Sequence, residues 1–260
     1  MNLIYIIKLL EELYPEMDSD DWDNSGGQVI NFDKDIKNII VTLDISDKLI
    51  DYAFKNKADL IISHHPMIFG GLNKIDISTY KGKMIKRIMD NEINIYSMHT
   101  NFDMANLGMT KLIAKKLGYD YFEVLKTKDI DREIGYGGII DLKEDLNRDE
   151  LINLVKEKFE IENLNFFSSG NKIYKKLSFC GGSGGDFIKN AAKVSDIYIT
   201  GDFKHHDYQL AYELGLDIID VGHYNSEKFF IEYISDILKK KNNSLNVDIF
   251  DRNVFKSIIK

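Results

Sequence analysis

Short β-branched apolar runs alternate along this chain with amphipathic stretches, and that alternation predicts an α/β fold. Residues 3–13 repeat their apolar positions at helical spacing and predict a first helix. The run NIIVTLD (38–44) predicts a buried strand, 47–55 a helix, and LIIS (60–63) a second strand ending at His64-His65-Pro66. Residues 81–90 predict a helix, 93–98 a strand that stops at His99, and 107–117 a further helix. The same order returns late in the chain as strand 197–200, helix 204–214 and strand 216–221. A long helix over 223–239 and a final strand at 245–250 complete it. Residues 126–185 have a different texture: a strand-like run at 134–142, a charged helix at 148–159, and strands near 164–167 and 173–179. This β-α-β-β order predicts a small α+β insert, closed by Gly181-Gly182-Ser183-Gly184-Gly185, a run that reads either as a linker or as a phosphate-binding loop before a helix. Residues 1–125 and 186–260 then form the main α/β unit.

The predicted strands matter for the side chains at their carboxyl ends. Ligand-binding residues of α/β proteins gather there, where separate loops converge. His64 and His65 lie just past one strand, His99 and Asp103 past the next, and His205-His206 and His223 past two later ones. Beyond the end of a strand, with Pro66 fixing its own φ and restricting His65, two adjacent imidazoles can each address one ion. His223 and Glu227 are spaced i, i+4 at a helix start and project from one face. His64, His65, Asp103, His223 and Glu227 thus make a nitrogen-and-oxygen donor set with no thiolate, suited to zinc, iron, manganese or cobalt. Each has a bland reading when taken singly. A His-His pair is most often a polar turn, Asp103 fits a helix cap, and Glu227 resembles any exposed helical carboxylate. The conjunction at successive strand ends favours metal. His99 backs a ligand, contacts substrate or is an ordinary strand-end histidine, and His205 either faces substrate, as a second proton-transferring group, or is solvated.

Composition narrows the setting. The 260 residues include 44% hydrophobic positions, enough for a core, but no apolar run approaches the ~20 residues needed to cross a bilayer. Lys8, Glu11 and Glu12 interrupt the first segment at helical intervals, and it lacks a basic start, so it is expected to be a helix and not a signal peptide. Cys180 is the single cysteine, which excludes an intrachain disulfide and predicts a reducing, cytoplasmic setting. A net charge of -8 argues against broad binding to nucleic-acid phosphates. The clusters Lys175-Lys176 and Lys239-Lys240-Lys241 remain as either a basic stripe or solvated faces.

Five segments carry a family resemblance: DWDNSGGQV (21–29), ISHHPMIF (62–69), SMHTNFD (97–103), TGDFKHHD (200–207) and DVGHYNSE (220–227). In this order they resemble the motif set of the GTP cyclohydrolase 1 type 2 homologue family, also called the NIF-three-like family. The likeness runs from near the N-terminus to about residue 240, and the 126–185 segment contributes none of it. It implies two α/β halves around a dinuclear metal site, assembled as a toroidal homohexamer. It also implies His65 and Asp103 on one ion, His64 and His223 on the other, and Glu227 bridging both. On that basis the expected function is metal-dependent hydrolysis of a small, nucleotide-like substrate, guanine ring opening being its most concrete form. Two other classes stay open: a metal-binding regulator without turnover, and a ring that binds nucleic acid.

Overall fold

The structure, a computed structural model, describes residues 1–253. Helix α1 (Leu3–Leu13) begins where the Asn2 side chain accepts a hydrogen bond from the Ile4 amide at 2.9 Å, and it buries Leu3, Ile6 and Leu10. Then come β1 (Gly26–Val29), β2 (Asn38–Thr42), α2 (Asp47–Lys55), β3 (Leu60–Ser63), α3 (Tyr80–Asp90), β4 (Asn94–Ser97) and α4 (Thr100–Met104). Strands β2, β3 and β4 pair in parallel through the helical crossovers α2 and α3. Their residues are buried almost throughout, which is why they read as continuous apolar runs rather than as alternation. Side chains at Ser46 and Thr79 cap α2 and α3 and fix where each crossover begins. Leu49, Ile50 and Ala53 of α2 and Ile85 and Ile88 of α3 pack with Ile40, Ile61 and Ile95 of the sheet.

A second run of elements comprises α5 (Met109–Leu117), β5 (Glu123–Asp129), β6 (Ile134–Asn147), α6 (Arg148–Phe159), β7 (Asn165–Phe167) and β8 (Ile173–Ser183). It continues with α7 (Ile188–Ala191), β9 (Ile197–Gly201), α8 (His205–Glu213), β10 (Asp217–Asp220) and α9 (His223–Glu227). These strands form a six-stranded mixed sheet in the order β5-β6-β8-β9-β10-β7. Its core includes Ile188, Ala191, Tyr198, Ala211, Leu216 and Ile218. Finally α10 (Phe229–Lys241) leads to β11 (Asn246–Phe250), which pairs in parallel with β2 and completes a five-stranded sheet in the order β1-β4-β3-β2-β11. The protein is therefore a mixed α/β fold with two mixed sheets flanked by helices. Among the described residues no helix is long and apolar enough to cross a membrane.

The described residues separate into two compact units, one of residues 1–102 with those from 230 onward, the other of residues 103–229. Neither coincides with the insert expected at 126–185. The β-α-β-β order there is observed, but β8 bonds to β9 in parallel and β7 bonds to β10, so those strands share one sheet with the later ones. Two strands gave little sequence signal. In β1 the residues are GGQV, and in the edge strand β5 only Leu125 is buried, so neither offers an apolar run. The helix expected over 223–239 is broken at Lys228 into α9 and α10. The glycine run expected as a linker is instead partly strand, since β8 continues through Gly181 and Gly182 to Ser183 across an irregularity in its pairing.

Candidate metal-binding site

In the first unit the carboxyl ends of adjacent parallel strands deliver the imidazoles. β3 ends into His64 and His65, and β4 into His99. Their candidate ligand atoms all lie within 4.8 Å of one another. Each ring is turned by a hydrogen bond at Nδ1. His64, fully buried, donates to the Met98 carbonyl at 2.8 Å. His65 donates to Asp44 Oδ1 at 2.7 Å, from the segment just after β2, and His99 to Asp23 Oδ1 at 2.8 Å. A proton committed to Nδ1 leaves Nε2 as the basic nitrogen, the tautomer in which histidine serves as a metal ligand. Phe102 and Phe230 form an apolar floor against the His64 ring, at 6.1 and 5.1 Å between centroids.

The Asp23 carboxylate is itself tightly held. Burial raises its pKa, but the hydrogen bond and charge of His99, with the Thr100 and Ser25 hydroxyls, outweigh that and hold it well below the usual carboxylate range. It therefore stays an acceptor for His99 at any ordinary pH.

Asp103, His223 and Glu227 lie in the second unit. The last two sit one turn apart on α9, with His223 Nε2 3.0 Å from Glu227 Oε2. His223 Nδ1 donates to Asp202 Oδ2 at 2.7 Å, the same orientation seen in the first unit. Glu227 is 3% exposed, and its position depends on glycine. A Cβ on Gly182 would lie 2.2 Å from Glu227 Oε1, and Gly182 adopts φ +63°, a left-handed value that favours glycine. The Gly182 amide donates to Ser226 Oγ, whose hydroxyl donates to the His223 carbonyl, so β8 and α9 are tied together at this point. Gly201 likewise lets β9 approach the start of α9, since a Cβ there would meet the His223 amide at 2.5 Å. Asp103 lies within α4, not at the cap of α5, which begins after Gly108. Burial first, and then the nearby carboxylates of Asp103 and Glu227, push the Cys180 thiol far up, so it remains a neutral apolar filler.

His64, His65 and His99 are thus brought together in one unit, and His223 with Glu227 in the other. His205 and His206 are exposed on the first turn of α8, their rings 5.5 Å apart, and no metal-competent group among the described residues includes them. The sequence reading missed Asp23, Asp44, Asp202 and Gly182. The first three had a positional signal, since Asp44 and Asp202 each fall within two residues of a strand end and Asp23 lies in one of the five motifs. Gly182 had none, because glycine in a Gly-rich run looks like a loop. The described side chains do include clusters able to hold a metal ion.

Comparison with known proteins agrees with the fold and the motifs. A "GTP cyclohydrolase 1 type 2 homolog" of Clostridium perfringens is 33% identical over 242 residues, covering 93% of this chain and 92% of that protein. A Helicobacter pylori protein called "GTP cyclohydrolase 1 type 2" is 32% identical, covering 94% of this chain and 95% of its own length. A Bacillus cereus protein related to NIF3 superposes with a TM-score of 0.90 at 22% identity, covering 100% of this chain and 99% of that one. The profile of the Duf34/NIF3 (NGG1p interacting factor 3) family matches residues 1–256, and the chain belongs to that family.

Proposed function

We propose that this protein is a metal-dependent hydrolase whose two divalent ions are held by His64, His65, Asp103, His223 and Glu227. These five side chains would hold the pair, with Glu227 shared between the two ions. The observation that carries this reading is the uniform orientation of the imidazoles. His64, His65 and His223 each commit Nδ1 to an oxygen acceptor at 2.7–2.8 Å, the oxygen–histidine–metal arrangement of natural sites. The donor set fits hard-to-borderline cations such as zinc, iron, manganese or cobalt, and the single thiol is held neutral and does not compete.

Bound divalent ions supply water acidified toward neutral pH and stabilise negative charge developing on oxygen. The chain's own residues supply positioning and proton transfer. His99, its Nδ1 fixed by Asp23, offers Nε2 as the atom that accepts and returns a proton. Exposed His205 is a second candidate for exchanging that proton with solvent. The relatives' names point to GTP as substrate. For that substrate one water opens the guanine imidazole ring at C8 to a formamide, and a second releases formate. The expected assembly is a homohexamer.

The test is anaerobic purification, elemental analysis and incubation with GTP under each of the four metals, with formate measured directly. Metal-dependent formate release that disappears in Glu227→Gln supports the proposal. Two bound ions with no release from GTP or from other nucleotides would leave a metal-binding regulator as the better description.

A further inference from the structure

Trp22 and Phe69 are large aromatic residues left 56% and 65% exposed, and the segments that carry them are tied together. Trp22 immediately precedes Asp23, the carboxylate that accepts from His99. Phe69 comes directly after Ile68, whose main chain is gripped by the side chains of Asn24 and of Gln28 in β1. The Ile68 amide donates to Gln28 Oε1 at 3.1 Å, and its carbonyl accepts from Asn24 Nδ2 at 2.6 Å. Asn24 and Gln28 are linked in turn, Gln28 Nε2 donating to the Asn24 carbonyl at 2.6 Å. The two rings therefore sit with centroids 5.9 Å apart at 45°. Each is also 5.9 Å from the His99 ring, which they meet at 80° and 67°.

Aromatic side chains kept in water by a hydrogen-bonded frame, beside a cluster of imidazoles, have the features of a ligand-facing wall. We propose that Trp22 and Phe69 form a stacking platform for a planar heteroaromatic ring, a nucleobase, and set it against the edge of His99. This rests on the hydrolase reading and assigns the residues that would receive the base of its substrate. Stacked rings lie about 3.5–4 Å apart, so a third ring between these two would need about 7–8 Å. At 5.9 Å they leave no such slot, and the base must lie on the outward face of one ring while the other walls its edge. Stacking of this kind tolerates any base, because every base has a π-face. The platform therefore selects for a nucleobase over a bare phosphoester, and purines over pyrimidines through area alone.

Trp22 is the chain's single tryptophan, so its emission reports the platform without labelling. Full-length protein, with and without metal, is titrated with GTP, guanosine, cytidine and inorganic triphosphate. The expected result is saturable quenching by GTP and guanosine, weaker quenching by cytidine and none by inorganic triphosphate. By calorimetry, Phe69→Ala and Trp22→Ala should each weaken GTP binding about tenfold or more, and Trp22→Phe should restore most of it. Equal quenching by inorganic triphosphate, no quenching by any nucleoside, or unchanged GTP affinity in both alanine variants would overturn the platform. So would emission that shifts with protein concentration alone, which would mean that a second copy covers the rings. Base-specific quenching without formate release defeats the hydrolase reading and leaves the platform standing. Formate release with unchanged KM in both alanine variants does the reverse.

Discussion

The two compact units bring their candidate ligands into position by different local devices. In the first, three parallel strands lie side by side, and their ends set the imidazole spacing through the backbone ladder itself. In the second, His223 and Glu227 share one short helix, and β8 and β9 must come close to it. The first arrangement needs little beyond correct strand register, whereas the second needs residues without side chains at particular points. A ligand cluster built on sheet register tolerates substitution around it. One built on close approach of a strand to a helix is sensitive to a single methyl group.

The largest effect that would sharpen this contrast is expected from Gly182→Ala. The new Cβ overlaps Glu227 Oε1 and the residue keeps a left-handed φ, so a loss of about 2–4 kcal/mol in stability is expected, together with lowered metal content. Thermal melting and elemental analysis of the same sample check it, and an unchanged melt would mean that β8 does not constrain Glu227. Next in size is Asp217→Asn, in the second unit but away from α9. Asp217 is fully buried and accepts from the Ser169 amide and hydroxyl at 2.7 Å and from the Tyr174 hydroxyl at 2.5 Å. A loss of about 1.5–3 kcal/mol is expected, with metal stoichiometry intact, which separates general destabilisation from damage to the site.

Smaller still in their cost to stability are changes to the carboxylates behind the imidazoles. Asp44→Asn and Asp202→Asn keep shape but weaken the acceptor that fixes His65 or His223, and each should lower metal affinity about 10–100-fold at little cost in stability. Competition with a coloured chelator measures this. Equal effects in the two variants would mean that the units contribute alike; a larger effect for Asp202 would fit the more exacting second unit.

Legibility in the sequence divides along the same line. NIIVT, LIIS and the strand before His99 are buried on both faces, so their positions and their terminal histidines are visible in the apolar pattern. The five-residue donor set came from reading strand ends. The partners behind it did not, because an aspartate after a strand is indistinguishable from a turn former until its acceptor role is seen. Gly181 and Gly182 were read as linker because their function lies in the side chains they lack: space is needed there for Met109 and Glu227, and sequence records only small residues. The break at Lys228 was hidden for the opposite reason, since α9 and α10 keep helical periodicity through it.

The most direct test of the central claim is elemental analysis of anaerobically purified wild type, Glu227→Gln and Asp103→Asn. A bridging Glu227 predicts two equivalents of divalent metal in wild type, loss of both in Glu227→Gln and loss of mainly one in Asp103→Asn. Unchanged stoichiometry in Glu227→Gln, with the protein folded, would contradict it.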